Sequence, residues 1–361
     1  MDIQSPPSGV APAGRRLKFT LASARWRQAL PAPLRRWRRV WRLIANYRYD
    51  FQRYVRASSV LQEDADQGRL EARILKTYHS LEKGLALPAP RAGFGARPVA
   101  ALIGQLQLYL PRYGQTAVAQ QAINVLAAHR AFNAGHGRSD PAVDAFLATY
   151  EAAIGAAEGG TLALTRAEVE TATRAVEPAF FKTRHSVRQF ATADVTPDVL
   201  ETAVDCARFA PSVCNRQSAR VYLVQGDEVA TVLGFQNGNR GFETTIRCLA
   251  IVTADMRSFT SIGERNQCWI DGGLFAMAFC YALHAQAVGT CMLNWSAEKE
   301  QDLAMRRHVG IPDHEAVITF MAIGCLRDGF VVARSPRREL NEVSTYIGSP
   351  SAPAAPEAPR A

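Results

Sequence analysis

The chain has 361 residues, of which 48% are hydrophobic and 21% charged, and its formal net charge is +9. This length allows one large domain with an extension, or two domains. No apolar run approaches the roughly 18 to 20 residues that a membrane-spanning helix needs, so we expect no transmembrane helix. Arginines interrupt every apolar stretch near the N-terminus, which argues against a cleavable secretory signal.

The positive charge is concentrated at the N-terminus. The first 60 residues hold 13 Lys and Arg against two Asp, a net charge of +11, whereas the rest of the chain holds 29 basic and 31 acidic residues. The basic character therefore belongs to this extension, and it gives no reason to expect nucleic acid binding by the main domain. Without a secretory signal, the cytoplasm is the expected compartment.

The seven cysteines all lie in the second half of the chain, their number is odd, and no pair has Cys-x-x-Cys spacing. This pattern predicts neither a disulfide framework nor a metal site. Most of these cysteines stand in apolar surroundings, where a reduced thiol behaves as a small hydrophobic side chain.

Residues 1–60 are predicted to be a basic, partly disordered extension that contains one amphipathic helix over 34–55. Arginines occupy the polar positions of this helix, and the apolar positions recur at steps of three and four, being Leu34, Trp37, Trp41, Ile44, Tyr47, Phe51 and Tyr54. Such a helix suits the surface of an anionic membrane, here on its cytoplasmic face. The alternative is that the aromatic stripe packs on the protein's own body or on a second subunit.

Residues 61–176 are predicted to be a helical region, with Ala-rich helices near 98–110, 117–132 and 141–156 that proline and glycine interrupt. The tail at 348–361 has repeated Ala-Pro units and is predicted to be disordered. The remaining residues, 177–347, are predicted to form the main domain.

After Arg184 the sequence alternates between helices and strands. A helix begins at Pro197 after a capping threonine, an apolar helix covers 269–287, and short β-rich runs lie at 221–224, 248–253 and 316–323. This pattern predicts an α+β, three-layer fold. No Gly-x-Gly-x-x-Gly follows a strand, so a dedicated dinucleotide-binding domain is not expected, and a nicotinamide cofactor would visit the site only transiently.

Two short segments are the most informative about chemistry. The first, Arg-His-Ser-Val-Arg-Gln-Phe at 184–190, places two guanidinium groups, an imidazole and a hydroxyl within five residues, which suits phosphate or a developing negative charge. The second, at 210–217, combines a Pro-Ser turn with Asn215 and Gln217, whose carboxamides can both donate and accept hydrogen bonds. Together they suit FMN, which has a phosphate at one end and a polar ring edge at the other.

Three further segments follow these two in the sequence: the helix after Asp271, residues 288–293 and residues 335–340. In this order the five segments resemble the nitroreductase family of FMN-dependent oxidoreductases, over residues 181–346 approximately. The resemblance implies a nitroreductase-like three-layer α+β fold, with a central, mainly antiparallel sheet flanked by helices. It also implies FMN as cofactor, NAD(P)H as transient electron donor, ping-pong hydride transfer to a small-molecule acceptor, and a homodimer. The helical N-terminal region is atypical.

The resemblance also implies roles for individual residues. Arg188 would lie beside N1 and O2 of the flavin, where a cation stabilises the reduced ring. The phosphate would be bound by Arg184, Ser186 and Arg337, with contributions from His185 and Arg338. No catalytic side chain is expected, because N5 of FMN carries the hydride.

The remaining flavin contacts are expected from the second segment and from the region after residue 290. The positions implied are Pro211, Ser212, Asn215, Gln217, Cys291, Met292 and Leu293. Two positions depart from the family pattern. Ser218 and Ala219 stand where many members have Pro-Trp, and Asn294 replaces a small residue or glycine, so these positions are where the substrate should be sought.

Three other functions are compatible with the same residues. The protein could be an oxygenase like the flavin destructases, a dehydrogenase of a small metabolite, or a non-catalytic flavin-binding scaffold at a membrane. The physiological acceptor and the preference for NADH or NADPH are not encoded in any motif that we recognise.

Overall fold

A computed structural model describes residues 31–61, 66–155 and 159–348. The disorder predicted near the two chain ends lies outside these residues, apart from Gly348. The helices are α1 (Ala32–Ala57), α2 (Gln67–Leu85), α3 (Ala96–Tyr113), α4 (Ala117–Ala134), α5 (Pro141–Thr149), α6 (Arg166–Thr173), α7 (Pro178–Thr183), α8 (Pro197–Ala207), α9 (Glu228–Leu233), α10 (Gln267–Ala285), α11 (Lys299–Val309) and α12 (Leu340–Val343). The strands are β1 (Ala219–Gln225), β2 (Cys248–Asp255), β3 (Val288–Asn294) and β4 (Glu315–Cys325).

The four strands form one antiparallel sheet in the order β1-β2-β4-β3. β1 begins opposite the end of β2, where Ala219 pairs with Ala254. β3 begins opposite the end of β4, where Val288 pairs with Cys325. The predicted strands are confirmed and extend by a few residues, whereas β3 was not among the strands that the β-rich runs predicted.

Helices cover both faces of the sheet. On one face, Phe275 and Phe279 of α10 pack with α8 and with Ala250 and Val252 of β2. On the other face, α9 and α11 pack with Leu249 and neighbouring residues. All eight residues of β2 are buried, which explains why its first five residues form a continuous apolar run instead of alternating with polar residues. The predicted three-layer α+β fold is confirmed.

Among the described residues, α10 is long and apolar enough to cross a membrane by length and composition. Inside the protein, 44% of this apolar stretch is buried, and it packs against the sheet. We therefore interpret α10 as a core helix.

Helices α2 to α5 form a second core of their own, centred on residues such as Leu70, Leu102 and Leu126. Side chains at the N-caps define where these helices begin, because Asp66, Thr116 and Asp140 each accept a hydrogen bond from a backbone amide of the first turn. The predicted helical region is therefore confirmed, while its exact boundaries as a domain remain a prediction.

Two predicted interruptions differ from the structure. α3 continues through Pro111 to Tyr113 and ends at Gly114, which has a φ of 73°. A proline in the last turn removes only one helical hydrogen bond, so the turn persists. α5 ends at Thr149, earlier than predicted, and a short 3₁₀ turn follows.

Helix α1 contacts the body through its polar face. Tyr49 donates a hydrogen bond to the Asp302 carboxylate at 2.7 Å, and Arg53 donates to the Glu315 carbonyl at 2.6 Å. Burial disfavours the charged form of Asp302, but Arg306 and the other donors outweigh it and hold the pKa of Asp302 below its ordinary value. Six of the seven apolar residues of the predicted stripe are exposed, and only Tyr54 is half-buried, against the cluster around Phe259. Apart from Tyr54, the stripe does not pack on the described part of the protein's own body, which was one of the predicted alternatives.

The segment at 186–191 crosses the end of the sheet where β3 and β4 meet. The amide of Val187 donates to the Thr290 carbonyl at 2.8 Å, and that of Ala191 donates to the Cys325 carbonyl at 2.9 Å. The Phe190 ring lies directly on Gly324, where an added Cβ would be 2.6 Å from the ring. Absence of a side chain at Gly324 therefore allows this segment to approach the sheet.

We predict that Gly324→Ala lowers the free energy of unfolding by about 2 kcal/mol, because the methyl group overlaps the Phe190 ring and displaces the segment. Urea denaturation measures this change. Gly104→Ala is the control, since no atom lies within 4 Å of an added Cβ in that helix, and it should be neutral or slightly stabilising. Equal denaturation midpoints for Gly324→Ala and the wild type would contradict the prediction.

Candidate active site

The first predicted segment lies along the free edge of β3. Ser186 pairs with Thr290 in a parallel bridge. Val187 and Phe190 are buried in the core, while Arg184, His185 and Ser186 are half-buried and Arg188 is exposed. The apolar members thus attach the segment to the sheet, and the polar members remain available to a ligand.

The cationic and hydroxyl groups of this segment converge near two buried thiols. Burial raises the pKa of Cys291, and the nearby Arg188, Ser186 and Arg184 partly offset this effect. Burial likewise raises the pKa of Cys280, with Thr290 and Arg184 opposing it. The shared neighbours show that Arg184, Ser186 and Arg188 form one positive cluster at the β3 edge, which suits an anion.

Arg188 is also oriented by its other contacts. Its guanidinium lies 5.9 Å from the centre of the Phe242 ring, and it donates to the Ser186 carbonyl at 3.4 Å. The cation is therefore positioned beside the segment's own backbone.

The second predicted segment is a tight loop before β1. Cys214, Asn215 and Gln217 have φ values of 50°, 51° and 48°, a left-handed conformation that is uncommon for residues other than glycine. The Ser212 hydroxyl accepts a hydrogen bond from the Gln217 amide at 3.0 Å, and Pro211 is exposed. Asn215 is exposed at the tip of this loop, where its carboxamide can meet a ligand.

An ion pair between the buried Arg216 and the half-buried Glu264 supports this loop from beneath. Arg216 donates to both carboxylate oxygens of Glu264, at 2.6 and 3.1 Å, and its Nε donates to the Val213 carbonyl at 3.1 Å. Burial disfavours the charged form of Glu264, but hydrogen bonds from Arg216 and Thr260 outweigh it and place the pKa of Glu264 below its ordinary value. The pair therefore stays ionised at neutral pH.

Asp271, at the start of α10, supports the same loop. Its carboxylate accepts from the Val213 amide at 3.2 Å and from Gln267 at 2.8 Å. Burial is the main cause that raises the pKa of Asp271 above its ordinary value. The residue also borders a cavity of about 170 Å³, whose lining includes Pro211, Ser212, Gln217, Ser218 and Arg220.

The two segments lie at opposite edges of the sheet. The loop at 211–217 leads into β1, near the start of β4, whereas the segment at 184–190 lies on β3 near the end of β4. Three strand spacings of about 4.8 Å separate β1 from β3, or roughly 14 Å across the sheet. One chain therefore does not bring the two predicted half-sites together.

The other predicted positions are distributed around the first segment. Cys291 and Leu293 are buried on the α11 side of β3, and Met292 faces the α10 side, so these residues can offer a ligand their backbone more than their side chains. Arg337 and Arg338 lie in an exposed stretch after β4, where Arg337 donates to the Ser335 carbonyl and Arg338 pairs with Glu342 at 3.4 Å. No contact among the described residues joins either arginine to Arg184.

Comparison with known protein families finds a match in the part of the chain that contains both segments. The family model of the nitroreductase family matches residues 181–240. These residues therefore carry the sequence pattern of the nitroreductase family. No curated protein matches the chain.

Solved structures of nitroreductase-family proteins are similar to this chain at low identity. A nitroreductase family protein from Clostridium difficile 630 is 20% identical, with a TM-score of 0.40, over 47% of this chain and 97% of its own. One from Streptococcus pneumoniae is 17% identical, with a TM-score of 0.41, over 47% and 98%. An FMN-dependent nitroreductase from Clostridium difficile R20291 is 19% identical, with a TM-score of 0.37, over 43% and 91%. The similarity to the nitroreductase family in sequence rests on the matched residues 181–240.

Three residues that support the loop at 211–217 were not predicted from the sequence. Arg216 stands between two predicted contacts, but nothing local shows that its side chain is buried, and Glu264 lies 48 residues away along the chain. Asp271 was noted only as part of a helix. Of the two departures from the family pattern, Ser218 is fully buried beside the cavity, and Asn294 is exposed and donates to the Ser296 hydroxyl at 2.8 Å.

We predict that Arg216→Ala lowers the free energy of unfolding by about 3 kcal/mol, because the half-buried carboxylate of Glu264 loses its cation and the buried Arg216 side chain leaves a cavity. The same change should loosen the loop at 211–217, which limited proteolysis can detect. Arg208→Ala removes an exposed pair with Asp205 and should change stability by less than about 0.5 kcal/mol. Similar urea midpoints for the two variants would show that the pair of Arg216 and Glu264 does not support the loop.

Proposed function

We propose that this protein is an FMN-dependent oxidoreductase that accepts hydride from NAD(P)H and passes electrons to a small-molecule acceptor. The observation that supports this most directly is the cluster of Arg184, Ser186 and Arg188 at the edge of β3, attached there by the bridge between Ser186 and Thr290. The cluster lies within the nitroreductase-family segment.

The residues present fit FMN. A ribityl phosphate is a dianion and needs several charged or polar donors, which Arg184 and Ser186 offer, with Arg337 as a further candidate on a stretch that begins beside Gln189. Arg188 supplies a fixed cation for the polar edge of the ring, and Asn215 supplies an exposed carboxamide. When bound, FMN supplies the exchange of two electrons and a proton between donor and acceptor.

The two half-sites imply that each flavin is bound between two copies of the chain. One copy would contribute the cluster on β3, and the other the loop at 211–217. Trp269, Ile270 and Leu274 of α10, each between 43% and 52% exposed, lie next to that loop, and burying them against a partner would be favourable. A homodimer with two equivalent sites satisfies this geometry.

The proposed activity is tested on the full-length protein under anaerobic conditions. We expect FMN to copurify or to be taken up, its oxidised absorbance bands to disappear on addition of NADH or NADPH, and an added acceptor to restore them. Flavin that disappears irreversibly when oxygen is admitted would indicate a flavin destructase. Bound flavin that neither nicotinamide reduces would indicate a scaffold, and failure to bind FMN would reject the proposal.

Sharing of the flavin between two chains predicts complementation between two inactive variants. Arg184→Ala/Arg188→Ala destroys the cluster on β3, and Asn215→Ala/Gln217→Ala destroys the loop contacts, so neither variant alone should retain FMN. Unfolding and refolding an equal mixture should restore about a quarter of the sites, because half of the dimers are mixed and each has one intact site. FMN content after gel filtration is the measurement.

Wild-type protein taken through the same refolding procedure is the control. Absence of restored FMN in the mixture, while the wild type recovers, would show that both half-sites act within one chain.

A further inference from the structure

The amphipathic helix α1 is attached to the protein with its apolar side outward. Every residue from 33 to 45 is exposed. Six large apolar side chains, each between 50% and 68% exposed, form one continuous stripe: Leu34, Trp37, Trp41, Ile44, Tyr47 and Phe51. Their spacing of three and four residues places them on one face. We call this face the aromatic stripe.

The opposite face of α1 makes the contacts with the body. Arg42 donates to the Glu298 carboxylate at 3.1 Å, and Asn46 accepts from the Lys299 amide at 2.8 Å. Further along the helix, Tyr49 and Arg53 contact Asp302 and Glu315. These contacts all lie at the start of α11 or beside it, and they hold the helix so that the aromatic stripe points away from the protein.

The charges around the aromatic stripe restrict what can cover it. Residues 32–57 contain eight arginines and only one acidic residue, Asp50, which gives a net charge of +7. Arg38 precedes Trp41 by three residues and lies beside the stripe, whereas Arg48 follows Trp41 by seven residues and lies on the same face as the stripe.

A second copy of the helix would place this charge against itself, and residues 1–30 have a net charge of +4 and would also be repelled. An anionic partner is favoured over both.

We infer that α1 binds the surface of a bilayer that contains anionic phospholipid, with its axis in the membrane plane. Tryptophan and tyrosine prefer the headgroup region, where Trp37, Trp41 and Tyr47 can bury their rings and keep their polar atoms hydrated. The flanking arginines contact lipid phosphates, and each adds about fivefold to the partition coefficient. The rest of the protein then lies on the opposite side of α1, in the solvent and away from the lipid.

The test is cosedimentation of the full-length protein with vesicles of phosphatidylglycerol and phosphatidylcholine. We expect binding to these vesicles, little binding to phosphatidylcholine alone, and weakening at high salt. Trp37→Ser/Trp41→Ser should lower the partition coefficient about tenfold or more, and Arg38→Glu/Arg39→Glu should have a similar effect. Leu87→Ser/Leu108→Ser removes two exposed leucines elsewhere on the surface, one after the end of α2 and one in α3, and should leave binding unchanged.

FMN content and circular dichroism establish that each variant is folded, and they do not depend on the proposed membrane contact. The inference is overturned if Trp37→Ser/Trp41→Ser binds vesicles as strongly as the leucine control does. It is also overturned if the wild type binds equally to vesicles without anionic lipid. If the wild type does not bind vesicles and Trp37→Ser/Trp41→Ser dissociates an oligomer in analytical ultracentrifugation, a second copy covers the aromatic stripe and the inference is wrong.

Discussion

The approach of one chain segment to the end of the sheet determines where the proposed flavin chemistry can take place. Two backbone hydrogen bonds, from Val187 to Thr290 and from Ala191 to Cys325, fix the segment at 186–191 against β3 and β4. The close contact between Phe190 and Gly324 makes these bonds possible. The two buried residues of this segment, Val187 and Phe190, attach it to the sheet. The polar residues on either side of Val187 stay accessible to a ligand.

Much of this arrangement could be predicted from local pattern. The apolar runs of β2 and β4 and the helix α10 are recognisable because a layer covered on both faces needs continuous hydrophobic sequence. The first segment was recognisable because its cations and hydroxyl are close in sequence. β3 was missed as a strand, since Gly289 is its second residue and it has few β-branched residues, and its strand conformation depends on pairing with β4.

Other features depend on contacts between residues far apart in sequence. The pair of Arg216 and Glu264 could not be predicted, because nothing in the sequence near Arg216 distinguishes it from an exposed arginine. Periodicity located the aromatic stripe of α1 but not the direction in which it faces. That direction is set by Asn46, Tyr49 and Arg53, polar residues whose partners lie more than 250 positions away.

The support of the loop at 211–217 also reaches into the helical region. Thr260 accepts a hydrogen bond from Arg216 at 3.4 Å and another from Lys76 of α2 at 2.7 Å. Asp66, at the N-cap of α2, pairs with Arg257 at 3.6 Å. A shortened protein that begins after the helical region would keep every residue of both half-sites and lose these attachments. The extra helices therefore support the loop at 211–217, and the part of the chain that holds this loop in place extends beyond residues 181–240, which match the family model.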